Sequence, residues 1–441
     1  MASDKWKADE TLIRLFQSVG RILLDKDLED SHSGNISTLW KDAEGGEKIV
    51  ITAAGSQKGD LEPSQICFLS PSETDYGYYK ASSETDIHAK ILSIPGVRAV
   101  IHAHSKELTI MTFDEEEKPN KPAPFVPIDA LGFYHFNGRI PVDWVEVPCG
   151  SPEMTRIIPE RLEHHKITVL QGHGTFSRGS TVKEALFHVC LANNSGYIAR
   201  LAQKLDIDIH DLREKITRSP SRFFPYPPNG YDQYEGAAEK IKSEEEITRE
   251  FKKTAARIFR SNLSPFHTGS MSLRGVDKIL YAPKASMPRE IGGPIMELPL
   301  SLKSKEKDRE LAIHKHIYEQ TDFQTVIHCC IPEAEAVSYF VPPGQERPID
   351  RVVPIDAEGS FFYLVIPILP PDFKPETFIR LLHDYKIVII RGGGVWSVGE
   401  QSLSEALHHP SSLRDICLYI LGAYERGLDI SKLQPEKAKQ W

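Results

Sequence analysis

The strongest constraint on the fold is that the chain repeats itself. Five sequence blocks recur in the same order, and the two members of each pair lie 220 to 235 residues apart. The paired blocks are HSGNIS with HTGSMS, ETDIHAKIL with ELAIHKHIY, AVIHAHS with TVIHCCI, PIDALG with PIDAEG, and VLQGHGTFSRG with IIRGGGVWSVG. Self-similarity of this kind indicates a duplicated structural unit, so we expect a tandem repeat with copies of about 200 residues.

The repeats define the expected domains. Copy one covers residues 8–215 and copy two covers residues 241–432. The segment between them, 216–240, is rich in proline and aromatic residues, which predicts a linker that packs on a surface. In each copy, helical spacing of apolar residues alternates with short strand-like runs. This pattern predicts an α/β fold with helices packed on a central sheet.

Composition excludes several classes of protein. The 441 residues carry a net charge of −9, which argues against a nucleic-acid partner. No apolar run reaches the roughly 18 residues that a membrane span needs, and the polar N-terminus does not resemble a signal peptide. The six cysteines lack the spacing of a disulfide framework. We therefore expect a soluble cytoplasmic protein that acts on a small molecule and binds neither membrane nor nucleic acid.

Two histidines in the stretch VRAVIHAHSKE indicate a metal site. His102 and His104 are two residues apart at the end of an apolar, strand-like run, so their side chains leave the strand on the same face. A catalytic zinc site typically has three protein ligands and one open position. His173, between two glycines in LQGHGTF, is the candidate third ligand, and Glu84 is the candidate general acid and base.

Each of these residues also has a purely structural interpretation. The histidine pair could be a buried hydrogen-bonded pair, and GHG could be a simple turn. Glu84 could do no more than complement the dipole of a helix that Ser82 or Ser83 caps. His88, one turn further on, is better explained as a packing residue. The combination of residues favours the functional interpretation.

The motifs SHSGNIS, ASSETDIH, VIHAHS and LQGHGTF, in this order, resemble the class II aldolase/adducin family over nearly all of copy one. The resemblance implies two tandem domains, each with a central, mainly antiparallel sheet flanked by helices. It also implies that three histidines hold a divalent ion, usually zinc and in some members manganese or cobalt: His102, His104 and His173. Glu84 matches the catalytic acid/base of the family. The positions that bind the substrate phosphate in the aldolases are matched by Gly34, Asn35, Ser82 and Ser83.

The turn TAAG departs from the aldolase pattern. Ala54 stands next to Gly55 where the aldolases usually have a residue with a hydroxyl group, so one phosphate donor is lost. We still place Ala54 and Gly55 among the expected substrate-binding residues. This loss argues against a phosphorylated sugar as the substrate and favours an unphosphorylated or carboxylated one.

The expected chemistry passes through an enolate or enediolate. A divalent ion polarises a hydroxy-carbonyl substrate, and Glu84 moves the proton. Retro-aldol cleavage of a small sugar or sugar-phosphate-like compound is our first expectation. Decarboxylation or dehydration of a related enolisable acid is the alternative. The adducin branch offers a third, in which the fold serves as a non-enzymatic assembly module.

Copy two lacks the complete set of ligands. His328 is retained, but Cys330 and Gly393 replace the second and third histidines, although Glu310 remains. We expect a non-catalytic domain. Because relatives form fourfold rings with active sites between subunits, we also expect a homo-oligomer, a dimer or tetramer, in which copy two lines the active site of copy one.

Overall fold

The computed structural model describes residues 10–30, 32–41, 45–69, 80–113, 122–231, 245–289, 291, 293–301 and 307–436. The chain separates into two compact units, one formed by Met1–Val126 and Phe136–Gly196 and the other by Pro127–His135 and Tyr197–Trp441. Within the described residues, no helix is both long enough and apolar enough to span a bilayer. The expected domain limits of 8–215 and 241–432 stay predictions, and part of the expected linker, 232–240, lies outside the described residues.

The described α-helices, numbered along the chain, are α1 (Glu10–Asp25), α2 (Thr85–Leu92), α3 (Lys106–Ile110), α4 (Ala130–His135), α5 (Pro152–His164), α6 (Val182–Lys204), α7 (Ile209–Arg218), α8 (Glu245–Arg260), α9 (Arg309–Gln320), α10 (Pro332–Ser338), α11 (Ala357–Phe362), α12 (Pro375–Tyr385), α13 (Leu403–Glu425) and α14 (Ile430–Leu433).

The described strands are β1 (Asn35–Lys41), β2 (Glu47–Thr52), β3 (Ile66–Leu69), β4 (Ala99–Ala103), β5 (Val142–Asp143), β6 (Ile167–Leu170), β7 (Gly174–Gly179), β8 (Ser270–Arg274), β9 (Lys278–Ala282), β10 (Met296–Pro299), β11 (Thr325–Cys329), β12 (Arg351–Val352), β13 (Ile366–Leu369), β14 (Ile387–Ile390) and β15 (Gly394–Gly399).

The two units contain sheets of the same topology. The first sheet has the order β3-β2-β1-β4-β7-β6-β5, and the second has β10-β9-β8-β11-β15-β14-β13 with β12 added at its edge. In each sheet one pair is parallel, β5 with β6 and β13 with β14, and the other neighbours are antiparallel. The predicted α/β class and the mainly antiparallel sheets are therefore confirmed.

The helices of the first unit have buried apolar stripes. In α1 the residues Leu12, Phe16, Val19 and Leu23 are spaced three or four apart and are all buried, as an amphipathic helix requires. Helices α2 and α5 pack together over the sheet in a core that includes Ile87, Met154 and Phe176. The central strand β4 is buried along its whole length, which accounts for its continuous apolar sequence before the histidines.

The strand register establishes which residues of the two units are equivalent. His102 on β4 pairs with Asn35 on one side and Phe176 on the other, and His328 on β11 pairs with Ser270 and Trp396 in the same way. The structure thus aligns the two copies at the position of the first predicted metal ligand.

Candidate metal centre

Strand β4 presents the first two histidines at its carboxyl end. His102 is 1% exposed and lies in the strand, while His104 follows it directly after Ala103 and is partly exposed. The ring centroids of His102 and His104 are 5.2 Å apart. The sequence prediction that these two side chains project to the same side is consistent with this arrangement.

The third histidine arrives on the turn between β6 and β7. Gly174, the first residue of β7, packs so closely against the end of β4 that a Cβ atom there would collide with the carbonyl oxygen of Ala103. Any side chain at this position would push the turn away from the strand. The glycine therefore allows His173 to come within 4.6 Å of His102 and 5.2 Å of His104, centroid to centroid.

The three rings fit a divalent ion. One ligand atom from each of His102, His104 and His173 can be chosen so that all lie within 4.8 Å of one another, and no other such group occurs in the described ranges. The Nε2 atoms of His102 and His173 are 3.2 Å apart. Two nitrogens bound tetrahedrally to zinc, each at about 2.0–2.1 Å, stand roughly 3.3 Å apart, so this spacing suits a shared ion.

Burial prepares the histidines as neutral ligands. Desolvation lowers the pKa of His102 and that of His173 to about 3, and it lowers the pKa of His104 as well. Nδ1 of His102 lies 3.0 Å from the carbonyl oxygen of Thr175, a contact in which the ring nitrogen donates. That hydrogen bond keeps the proton on Nδ1 and leaves the Nε2 lone pair for a metal ion.

Glu84 lies beside the triad. Its Oε2 atom is 3.7 Å from Nε2 of His102, and its Oε1 atom is 4.0 Å from Nε2 of His173. The side chain of Asn35 donates to Glu84 Oε2 at 2.7 Å and to the hydroxyl oxygen of Ser82 at 3.1 Å. The carboxylate is thereby fixed with one oxygen toward each of two metal-ligand candidates.

The expected helix cap before Glu84 is wrong. Helix α2 begins at Thr85 with Glu84 itself at the N-cap position, and the Glu84 side chain makes no capping hydrogen bond. Ser82 instead accepts a hydrogen bond from the backbone N–H of Glu84 at 3.3 Å, and Ser83 is exposed. Because the Glu84 side chain faces the histidines and not the helix end, simple dipole compensation does not explain its position.

The other predicted substrate-binding residues lie on segments next to the histidines and Glu84. Gly34 has φ +70°, and a Cβ atom there would lie 2.7 Å from the carbonyl oxygen of His102, so its backbone packs directly against the first histidine. The TAAG turn lies nearby in the sheet, since Ala53 forms a bridge with Ala81 and the N–H of Ala54 donates to the carbonyl of Lys80. Gly55 and Ala54 are exposed.

Three further residues belong to this region; Lys58 was expected beside the TAAG turn as a basic residue for an anionic group, whereas Phe176 and Glu29 were not predicted. The ring of Phe176 stacks on His102 with centroids 4.1 Å apart. Glu29 is 1% exposed, and burial raises its pKa well above the usual value, with Lys58 opposing the shift. Lys58 is also buried and donates to the carbonyls of His32 and Ser56 at 3.1 and 2.8 Å. Neither residue belongs to a quoted motif, and their burial was not apparent from the sequence.

His88 is a packing residue, as predicted. It is buried, and its Nδ1 atom lies 2.6 Å from the hydroxyl oxygen of Ser37. The second unit repeats this contact between His314 and Ser272, also at 2.6 Å. The pair is therefore part of the common fold and independent of the metal ligands.

The equivalent position in the second unit is arranged differently. His328 uses Nδ1 toward Oε2 of Glu310 at 3.1 Å and Nε2 toward the carbonyl oxygen of Gly393 at 3.0 Å. Both ring nitrogens thus have protein partners. The hydroxyl of Ser270 donates to the same carboxylate at 2.7 Å, as Asn35 does in the first unit. The acid is retained, but the histidine beside it is engaged by backbone.

Comparisons with known proteins agree on one protein family. Residues 14–199 and 249–421 both match the model described as Class II Aldolase and Adducin N-terminal domain. The chain is 28% identical over 166 residues to methylthioribulose-1-phosphate dehydratase of Hahella chejuensis, a match that covers 36% of this chain and 77% of that protein. It is 27% identical over 196 residues to 5-methylthioribulose-1-phosphate/5-deoxyribulose-1-phosphate aldolase of Rhodospirillum rubrum, covering 43% of this chain and 73% of that protein.

Solved structures of similar fold include L-fuculose-1-phosphate aldolase from Thermus thermophilus. That structure has 24% identity and a TM-score of 0.39, and the match covers 44% of this chain and 95% of that one. YgbL from Escherichia coli has 18% identity and a TM-score of 0.40, covering 46% and 98% respectively. With two separate regions matching the family model and a duplicated sheet topology, the chain belongs to the class II aldolase and adducin family.

Proposed function

We propose that the protein is a metal-dependent lyase that cleaves a carbon–carbon bond next to a carbonyl group in a small hydroxy-carbonyl substrate. The observation that carries the proposal is the position of Glu84, whose two carboxylate oxygens lie 3.7 and 4.0 Å from the Nε2 atoms of His102 and His173. An acid/base group within reach of a metal-ligand triad is what this chemistry needs.

The residues of the site have two roles, binding the ion and transferring a proton. His102, His104 and His173 are the ligands we assign, and zinc is the first choice for a three-histidine site, with manganese or cobalt as alternatives. A divalent ion bound there supplies Lewis-acid polarisation of the substrate carbonyl. Glu84 accepts the proton of the substrate hydroxyl and returns one to carbon, while the Asn35 amide keeps its carboxylate in place.

We propose that the substrate carries an anionic group at the end that lies away from the metal ligands. The similar proteins named above act, by their names, on 1-phosphorylated ketoses, which is one support. Gly34, Asn35, Ser82, Ser83 and Gly55 offer neutral donors near the carboxylate, and backbone N–H groups bind anions well. Lys58 adds positive charge, since its ammonium influences the pKa of both His102 and His104. It offers a means of compensating for the hydroxyl that Ala54 lacks.

Dehydration is the second candidate function. It is favoured by the likeness to methylthioribulose-1-phosphate dehydratases, and it needs the same carbonyl polarisation and a proton shift by the same carboxylate. Decarboxylation of a related enolisable acid uses the same groups. The non-enzymatic assembly module predicts instead that neither tight ion binding nor turnover accompanies the triad.

One experiment separates carbon–carbon cleavage, dehydration and the assembly module. The protein loaded with Zn²⁺, Mn²⁺ or Co²⁺ is incubated with 5-deoxyribulose 1-phosphate and with methylthioribulose 1-phosphate, and the products are followed by ³¹P and ¹³C NMR. Retro-aldol cleavage gives a triose phosphate and an aldehyde, whereas dehydration gives a phosphorylated diketone that retains all the carbons. No turnover of either compound, together with no ion retained after reconstitution, would leave only the assembly module.

A further inference from the structure

The region of the second unit around Glu310 and His328 corresponds to the candidate site of the first, and we call it the pocket of the second unit. The strand register and the sequence repeats place His267 at the position of His32, Asp308 at that of Ser82 and Gly393 at that of His173. Strand β9 pairs with β8 as β2 pairs with β1, and two residues beyond its end Lys284 is equivalent to Ala54. Each of these four residues of the second unit contacts one short stretch of the same unit, residues 223–231.

The first contacts of this stretch are with the glycine turn before β15. A Cβ atom on Gly392 would collide with the carbonyl oxygen of Phe223 and lie 2.9 Å from the Phe224 ring. A Cβ atom on Gly393 would lie 2.8 Å from Cγ of Pro225. The stretch therefore lies directly on the turn of the second unit that is equivalent to the His173 turn of the first. A histidine side chain at position 393 would require Pro225 to move.

The next residue enters the acid end of the pocket. Burial raises the pKa of Tyr226 well above its usual value, and Glu310 and Cys330 raise it further. Its hydroxyl oxygen is buried. These two neighbours stand where Glu84 and His104 stand in the first unit, so the buried phenol is within electrostatic reach of the part of the pocket that corresponds to the metal centre.

The last residues of the stretch occupy the end equivalent to the proposed anion subsite. The Asn229 side chain donates to Asp308 Oδ1 at 2.8 Å. The Tyr231 ring stacks on His267 with centroids 4.8 Å apart, and the ammonium group of Lys284 donates to the Tyr231 carbonyl oxygen at 2.7 Å. Phe224 and Tyr231 are 1% and 5% exposed, so the stretch is anchored near both of its ends by buried aromatic side chains.

We propose that the pocket of the second unit is a peptide-binding site permanently filled in cis by residues 223–231. The stretch follows the pocket from the former metal end to the former anion end and satisfies the groups that remain there. Lys284 and Asp308, which replace Ala54 and Ser82 of the first unit, thus have partners within the chain: Lys284 donates to the Tyr231 carbonyl oxygen and Asp308 accepts from the Asn229 side chain. A small-molecule substrate or an ion would therefore have to displace this stretch to enter the second unit.

Thiol reactivity tests the proposal. Cys149 is exposed and is replaced by serine to remove background, after which the rate of Cys330 modification by a small aromatic disulfide reagent is measured. We expect Tyr226→Gly to raise the rate at Cys330 at least tenfold because the ring no longer covers the former metal end. A Tyr226→Gly, Cys330→Ser variant is the matched control and should lose the fast-reacting thiol. An unchanged rate in a folded Tyr226→Gly protein would overturn the proposal.

Proteolysis of the unaltered protein provides a second test that does not depend on a variant. Chymotrypsin cleaves after aromatic residues that are not followed by proline, so the bond after Phe223 is the susceptible one within this stretch. In an exposed linker it would be cut readily under native conditions. We expect no cleavage between 223 and 231, mapped by mass spectrometry, until the second unit unfolds in urea. Rapid native cleavage within this stretch would contradict the proposal even if the candidate site of the first unit is active.

Discussion

The side-chain amide of Asn35 donates to Oε2 of Glu84 at 2.7 Å and thereby links the first strand of the sheet to the carboxylate beside the histidines. The second unit has an equivalent link made by a shorter side chain, since the Ser270 hydroxyl donates to Glu310 Oε2 at 2.7 Å. The donor has thus kept its position in both copies, although its chemical group differs. In the first unit it orients a group that we propose moves protons.

Replacing Asn35 tests this orienting role. Because a hydrogen bond to a charged group contributes about 1.5–3 kcal/mol, Asn35→Ala should lower kcat roughly 10- to 100-fold while the ion content stays unchanged. Asn35→Ser, which introduces the donor found in the second unit, should recover part of the activity. Metal analysis alongside steady-state kinetics checks both. Full activity in Asn35→Ala would show that the amide does not position the carboxylate.

Replacing Glu84 tests the proton transfer itself. Glu84→Gln keeps the size and the contact with Asn35 but cannot exchange a proton, so kcat should fall about 10²- to 10⁴-fold. The same variant should retain the ion, because three histidines remain to hold it. Wild-type turnover in Glu84→Gln would exclude the carboxylate as acid/base, and loss of the ion would make it a ligand.

Replacing Lys58 tests the anionic subsite. Lys58→Met should weaken competitive inhibition by inorganic phosphate at least tenfold and raise KM for a phosphorylated substrate more than it lowers kcat. Lys41→Met, which removes one positive charge from an exposed position on β1, is the matched control and should change neither. Equal phosphate affinity in wild type and Lys58→Met would remove the lysine from the substrate site.

The buried histidines predict acid sensitivity of the metal-free protein. Burial lowers the pKa of His88 to about 3, whereas in the unfolded chain it is near 6.5. Between these values the unfolded state binds the extra proton, so the free energy of unfolding falls as pH drops below about 6.5. By pH 5 one such group lowers the free energy of unfolding by about 2 kcal/mol. His102 and His173 act in the same direction.

Urea unfolding at pH 7 and pH 5 measures this loss. His88→Gln cannot titrate, so its stability should fall about 2 kcal/mol less than that of the wild type over the same pH interval. The quantity compared is the loss of unfolding free energy between pH 7 and pH 5 in each protein. The substitution also changes the free energy of unfolding at pH 7, and that change cancels in the comparison. Identical pH-dependent losses in the two proteins would show that His88 is not held neutral by the fold.

Much of the fold and of the candidate site follows from local sequence features. The repeated blocks predicted the duplicated sheets, and the alternation of side chains along β4 predicted that His102 and His104 share a face. The cap of α2 could not be predicted from residue types, because Glu84 is drawn toward the histidines by Asn35, a residue 49 positions away. Burial of Glu29 and Lys58 depends on tertiary packing that no motif encodes. The homo-oligomer and the cytoplasmic location stay predictions.

The central claim is that His102, His104 and His173 hold one divalent ion and that the second unit holds none. Anomalous diffraction at the metal absorption edge, from a crystal of the protein reconstituted with Zn²⁺, measures this most directly. We predict one strong peak per chain, about 2.0–2.1 Å from a nitrogen of each of the three rings, and no peak beside His328. Rings that point away from any shared peak, or a peak of equal strength in the second unit, would contradict the account.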